Sequence, residues 1–559
     1  MNKEILVADI PAHVTEKDRL SDSFASDKWR VMPYETAEIS GRMLWANAET
    51  FPQDVSVELN ARGKYRVYLG MINMGGNTTT GIRFSNDDGK TQLRTFSHTG
   101  WSSVEWFEEV YFKTVELDGQ ALVLSKPNGY PRVENSALAW IRLVPAPVEE
   151  PQKENNLAYH FDLDYYAEDD YKSPAEYLGR IKMLQDGGMG LMLHEKLPIK
   201  DFSHVDWEKA TAREKPYLFY SQNQEEVERE LIEYARATGV KIYASYRIEA
   251  GGFISPFDSA KQIYNDVWCE ANKELRCQTR DGRYVDVCSY AYPSIRKQVI
   301  EMLVNGSKNY DGVCVFFHRG TFVAFEKPVR EMVMEKYGVD ACRLPKSDPR
   351  LHNVLCYFIT LFMRELREEL DKLGGKRKEI NAIVYHTVEN SKYFGYDVET
   401  WVNEGLVDSV SQGLMTHYED LTDCLDEEGL VDLEKYEKEL GKRFTITRDY
   451  SHNTELIVRG AKEFLRVCEG KADFYATLAW ESAEAWLTCE IADELKKLGV
   501  KKFISWNTNH KAKYLRRFNA EKFYAAGSKE EYAEKSFRHL RTLSLDGKDI
   551  SQYNPNWKG

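Results

Sequence analysis

Between Tyr34 and Pro145 short runs that alternate apolar and polar residues give way, about every eight to twelve residues, to turn signals. The runs are SVELN, ARGKYRVYLGMI, NMGGNTTTGIRFS, NDDGKTQLRTFS, VEWFEEVYFKTVEL, DGQALVLS and ALAWIRLVP, and Gly, Asn and Asp punctuate them. A period of two puts one kind of side chain on each face of a strand, so residues 36–147 are expected to form an all-β sandwich of antiparallel strands. Residues 1–35 read as a lead segment before it. In PAPVEEPQKENN proline and charge replace any period, which makes residues 148–156 a linker.

Beyond the linker the rhythm becomes apolar strand, polar loop, amphipathic helix. LAYHFDLD (157–164) precedes the helix PAEYLGRIKMLQDGG, MGLMLHE (189–195) precedes EEVERELIEYARATG, and VKIYASYRIE (240–249) leads through a long loop to PSIRKQVIEMLVNGSKNY. DGVCVFFHRG, EINAIVYHTVEN, LVDSVSQGLM, KADFYATLAWES and VKKFISWNTN bring the strand segments to eight. Glycines such as Gly239, Gly374 and Gly499 stand where helices stop. Strands that alternate with helices pair in parallel, and eight such units close a barrel. The expected fold is therefore α/β, a (β/α)8 TIM barrel over residues 157–515 preceded by the β-sandwich. A doubly wound sheet would show a Gly-rich first turn, and HFDLDYY has no glycine. Residues 516–559 read as a C-terminal extension that could return to the N-terminal domain.

Length and charge narrow the partners. A chain of 559 residues is too long for one core. Its 75 Lys and Arg against 89 Asp and Glu leave a net charge of −14, and the basic residues form no stripe. Nucleic acid and anionic membranes are excluded as expected partners. The opening MNKEILVADIPAHVTEKDRL lacks the basic and apolar regions of a secretory signal, and no run of about 18 apolar residues occurs, so a cytoplasmic location is expected. Nine cysteines, none before Cys269 and none in a CxxC pair, read as reduced thiols, with Cys314 as core packing.

A barrel does its chemistry at the C-terminal ends of its strands. Those positions hold His160, Asp162 and Asp164; His194 and Glu195; Arg247 and Glu249; His318 and Arg319; His386 and Glu389; Gln412; Trp480 and Glu481; and Trp506, Asn507 and Asn509. Carboxylates for proton transfer, amides and His for hydroxyls, and indole faces for the apolar side of a ring together suit a carbohydrate. Each residue also has a plainer role. Asp162 and Asp164 could accept hydrogen bonds from nearby loops, Glu481 could cap a helix, Glu249 could belong to a chain reversal, and Arg319 could sit in a salt bridge. The histidines lie on separate strands with no HxH or HExxH spacing, so neither a metal nor a cofactor is expected.

The stretch YDGVCVFFHRG, then FEKPVREMVMEKYGVDACRLPKSDPRLHNVLCYFITLFMRELREEL, resembles the family-10-like bacterial glycoside hydrolases, barrel proteins of a hypothetical glycosidase group. DVETWVNEGLVDSVSQG and ISWNTN extend the resemblance over about residues 155–510. It implies a strand-seven glutamate as nucleophile, which here is Glu481, and a strand-four glutamate as acid. Strand four instead ends in His318 and Arg319. The expected activity is hydrolysis of an imported oligosaccharide or small glycoside, with Glu481 as nucleophile or base. Asp164 and Glu249 lead as the acid, followed by Asp162. His160, Glu195, Arg247, His318, Arg319, His386, Glu389, Gln412, Trp480, Trp506 and Asn507 are expected to hold the sugar. The sandwich would be carbohydrate-binding-module-like, or structural, or a route to a homo-oligomer. Two other readings stay open: a carbohydrate-binding protein without catalysis, and a metal-assisted sugar lyase or isomerase built on the histidines.

Overall fold

The structure, a computed structural model, describes residues 3–47, 49–72, 78–86, 92–96, 107–126, 135–146, 157–161, 189–196, 215–248, 272–317, 323–345, 348–413, 454–478, 485–505, 527–529 and 542–549. The chain divides into two compact units. Described residues up to 146 and from 527 onward belong to one, and those from 157 to 505 to the other.

The first unit is β-rich. Arg62–Ile72 lies between Phe107–Asp118 and Trp140–Pro145, with Ile5–Val7 on the far edge. A second sheet orders Val55–Val57, Leu122–Ser125, Thr78–Phe84 and Gln92–Phe96. The third sets Trp29–Thr36 between Ser40–Ala46 and the C-terminal strand Thr542–Leu545. Pairing is antiparallel apart from the short Leu20–Ser21 strand. The alternation that predicts the strands also builds the core. Val67, Leu69, Val31, Leu44, Val55 and Leu122 come from all three sheets into one buried cluster. Residues 3–35, read from sequence as a lead segment, supply strands. WRVMPYET breaks its period with a proline, which hid a central strand of the third sheet.

The second unit is a closed parallel barrel of β1 (Leu157–Phe161), β2 (Met189–Glu195), β3 (Lys241–Arg247), β4 (Gly312–Phe316), β5 (Glu379–Val384), β6 (Ser409–Gln412), β7 (Asp473–Thr477) and β8 (Lys502–Ser505). It closes where Leu157 pairs with Phe503. All eight strands fall inside the segments that the apolar runs predict. Between them run α1 (Lys215–Thr238), α2 (Pro293–Ser307), α3 (Lys327–Tyr337), α4 (Pro349–Asp371), α5 (Val388–Tyr393), α6 (Val398–Asn403), α7 (Thr454–Cys468) and α8 (Ala485–Lys497). α4 starts because Asp348 accepts from Arg350 N and Pro349 fits the first turn. Gly239 and Gly499, at φ of 70° and 88°, turn the ends of α1 and α8 into the next strands.

The loop after β3 holds an unexpected antiparallel hairpin, Arg276–Gln278 with Tyr284–Cys288. Its signal was the Asp281-Gly282 pair, with Gly282 at a φ of 87°. No described helix is long and apolar enough to cross a membrane.

Candidate functional site

Inside the barrel, strand alternation sends Leu191 and Leu193 of β2, Tyr243 of β3, Cys314 and Phe316 of β4, and Ile383 of β5 into one buried cluster. The base is closed by charge. Lys241 Nζ lies 2.7 Å from Glu379 Oε1, the Tyr243 hydroxyl donates to the same carboxylate, and Lys502 Nζ lies 2.5 Å from Asp473. Burial pushes the Glu379 carboxyl up, but the hydrogen bonds from Lys241 and Tyr243 outweigh it and hold the group below its ordinary range.

Across this apolar interior runs a polar row that sequence reasoning missed. Glu195 pairs in register with Ser245, Ser245 with Cys314, Cys314 with Asn381, Asn381 with Ser409, and Ser409 with Asp473. Strand stagger carries the row from the C-terminal end of β2 down to the start of β7. Asn381 is its hub. Its Nδ2 donates to Ser409 Oγ at 2.8 Å and Ser411 Oγ at 3.0 Å, while its Oδ1 accepts from Cys314 Sγ at 3.3 Å. Small polar residues at inward positions of KIYASYR, EINAIV and SVSQ were the available signal. Burial pushes the Cys314 thiol far up, which leaves it unreactive and matches its reading as packing.

At the upper end of that row the barrel holds an ion pair. Arg247 Nε lies 2.8 Å from Glu195 Oε1, with the two side chains 4% and 5% exposed. The guanidinium carbon sits 5.6 Å from the centre of the Phe316 ring. Charges this deep are tolerated only when paired, because each loses its hydration. Both residues stand at the C-terminal ends of adjacent strands, and strand alternation puts them on the inner face.

The residues on either side of Glu195 point the other way. His194 packs parallel to Tyr310, with Nδ1 3.2 Å from the hydroxyl, and Lys196 pairs with Glu228 of α1 at 2.9 Å. Burial, helped by Lys196, pushes the imidazole down to about 3, so it is neutral at physiological pH. His194 therefore belongs to the packing between strand and helices and not to the mouth.

Three residues expected to hold the sugar have partners within the protein or lie on a helix. Gln412 is fully buried and its amide is spent on the protein. Nε2 donates to His386 O at 2.9 Å and Ile457 O at 3.2 Å, while Oε1 accepts from Thr477 N. Gly460 of α7 permits this approach, since a Cβ there would meet His386 O at 2.1 Å. His386 is 5% exposed, with Asn390 Nδ2 3.2 Å from its ring nitrogens. Glu389 is an exposed residue in the first turn of α5, whose N-terminus is capped by Thr387, with Glu463 accepting from Val388 N. Gln412, the last residue of β6, faces α7, while His386 lies beyond β5 and Glu389 lies in α5.

One buried acid had no sequence signal. Glu326, just before α3, is fully buried and accepts from Ala324 N at 3.1 Å and from the Ser289 hydroxyl. Burial raises its carboxyl despite these hydrogen bonds. It ties the loop after β4 to the turn that opens α2. Asp162, Asp164, Glu249, His318, Arg319, Trp480, Glu481, Trp506 and Asn507 lie outside the described residues, as does the side chain of His160. In sequence, Asp162 directly follows β1, Glu249 comes two residues after β3, and Glu481 four after β7.

No family model and no curated protein matches the chain. Solved structures that resemble it include the glycoside hydrolase domain of PgaB (BpsB) from Bordetella bronchiseptica. Its identity is 11% and its TM-score 0.40, over 64% of this chain and 95% of that one. The CBM22-1-GH10 modules of a Clostridium thermocellum endo-1,4-beta-D-xylanase align at 8% identity and TM-score 0.28, over 85% of each chain. The GH36 alpha-galactosidase AgaB of Geobacillus stearothermophilus aligns at 8% and 0.34, over 87% of this chain and 63% of that one. These are glycoside hydrolases of several families. At such scores the likeness carries no argument, and the barrel rests on its own strand pairing.

Proposed function

We propose that the barrel is a glycoside hydrolase for an oligosaccharide or small glycoside, with Glu481 as nucleophile or base. The observation that carries this reading is the buried Glu195–Arg247 pair, which puts a fixed carboxylate and guanidinium on the inner face at the C-terminal end of the strands. An ion pair there suits sugar hydroxyls and the positive charge that develops at an anomeric carbon. A carboxylate held by a guanidinium is a poor proton donor, so the acid falls to Asp164 or Glu249, with Asp162 behind them. The family-10-like pattern around Asp311 to Arg350 supports the same reading. His318, Arg319, Trp480, Trp506, Asn507 and His160 are proposed to hold the sugar.

The test is turnover of a panel of aryl glycosides by the full chain and by Glu481→Gln. Hydrolysis by the wild type that disappears in a folded Glu481→Gln supports the reading. Full turnover in that variant removes Glu481 from the mechanism. A second reading, sugar binding without hydrolysis, is favoured by the missing acid at the end of strand four. Saturable binding of glycosides with no turnover on any of them would establish it.

A further inference from the structure

The β-rich unit leaves two aromatic rings out of its core. Phe51 is 59% exposed and Phe24 55%, the highest values among the described large hydrophobic residues. A single exposed apolar residue needs no explanation. These two sit on loops that lie side by side, since Phe51 N donates to Ser26 O at 2.7 Å, two residues past Phe24.

The Phe51 loop is held in place. Asn47 Oδ1 accepts from Glu49 N at 3.0 Å and from Thr50 Oγ1 at 2.6 Å. Gln53 O accepts from the indole of buried Trp29 at 3.0 Å, and Asp54 Oδ2 pairs with Arg83 at 2.9 Å. Pro52 restricts the backbone of Phe51 itself. Beneath the ring, Lys126 Nζ lies 5.2 Å from the centroid, and this lysine is only 8% exposed. One side of the ring is thus backed by a buried cation. A rigid, backed ring loses little entropy on stacking, which is what a preformed platform requires.

The surroundings select the occupant. The two loops read SDSFASDK (21–28) and NAETFPQD (47–54). Asp22, Asp27, Glu49 and Asp54 stand with Lys28 in the loops, with Arg83 paired to Asp54 and with Lys126 beneath Phe51, which leaves a net charge of −1 (three minus four). That balance offers no excess of positive charge to hold a phosphate backbone or anionic lipid. A protein partner would need contiguous apolar area, whereas the two loops carry mostly Asp, Ser, Glu, Asn and Gln in sequence beside the rings. A pyranose matches both features, because its C–H face stacks on an aromatic ring while rim hydroxyls donate to carboxylates and amides. We propose that Phe51 and Phe24 form a second, non-catalytic binding platform for a neutral oligosaccharide, separate from the barrel.

The proposal does not depend on the barrel being a glycosidase, and the experiment keeps the two apart. Cellohexaose, xylohexaose, mannohexaose and maltohexaose are titrated calorimetrically into the full chain as wild type, Phe51→Ala, Phe51→Trp, the Phe24→Ala/Phe51→Ala double variant and Glu481→Gln. The expected result is binding of at least one hexasaccharide that weakens at least about tenfold in Phe51→Ala. That binding is abolished in the double variant and kept in Phe51→Trp and Glu481→Gln. Both phenylalanines are exposed, so the melting temperature of each variant should stay at the wild-type value and exclude misfolding. The platform is overturned if no hexasaccharide binds below about 10 mM, or if the double variant binds as the wild type does. It is equally overturned if the double variant instead abolishes self-association in sedimentation, which would make the rings a contact between copies.

Discussion

Glu195 and Arg247 meet at 2.8 Å across two adjacent barrel strands, and neither side chain is more than 5% exposed. Removing one partner takes the opposite charge from the other at a depth where hydration is lost. Arg247→Met should therefore cost about 3–5 kcal/mol. The double variant Glu195→Leu/Arg247→Met should recover most of that loss, because two apolar side chains carry no desolvation cost. Urea unfolding of the singles and the double measures the coupling. Equal losses in single and double would mean that the pair does not act as a unit.

Asn381 holds three polar neighbours in an otherwise apolar interior. Replacing it by Leu keeps the size but strips partners from Ser409, Ser411 and Cys314. A loss of about 2–3 kcal/mol is expected by denaturant titration. Asn381→Leu/Ser409→Ala/Ser411→Ala should be more stable than the single variant, since the stranded hydroxyls go with it.

The depressed imidazole of His194 makes stability depend on pH. Its folded value, about 3, lies below the ordinary 6.5, so the unfolded chain binds the proton first. The contribution is fully present above pH 6.5 and is lost as pH falls from there toward 3. The slope is at most about 1.4 kcal/mol per pH unit. Between pH 6.5 and 5 the stability difference between wild type and His194→Gln should shrink with falling pH. A difference that stays constant across this window would show that the ring does not titrate as its burial demands. Comparing the two chains cancels Glu326, whose raised carboxyl acts in the opposite sense on rising pH.

Under the hydrolase proposal, Asp164→Asn and Glu249→Gln separate the two acid candidates. Loss of the true acid should lower turnover about 10²–10⁴-fold on an alkyl glycoside with a poor leaving group. Nitrophenyl glycosides, which need no protonation, should be cleaved nearly as before. Equal losses on both substrates would assign the residue to binding and not to proton transfer.

The barrel was legible because eight apolar runs separated by amphipathic helices admit few other arrangements. What stayed hidden is which way a terminal residue faces. One position of shift turns a side chain to the opposite face, and sequence does not mark the last paired residue. Glu195 and His194 show this, as neighbours with opposite surroundings. Gln412 shows it again, read as a sugar contact yet bound to the backbones of His386 and Ile457. The strand Trp29–Thr36 was lost for a different reason, since its proline and mixed burial imitate a loop. The row centred on Asn381 spans six strands, so no local window contains it.

The strand Thr542–Leu545 lies beside Trp29–Thr36, and Leu545 is buried with Tyr34 and Trp140. This gives the chain an order of assembly. During synthesis the N-terminal sheets emerge first, yet one sheet lacks a member until the whole barrel has been made. Until then the Tyr34–Thr36 end of that strand presents an unpaired edge, the kind that invites wrong partners. The tail thus works as a late-arriving seal, and nascent chains stopped short of residue 542 carry an open edge into the cell.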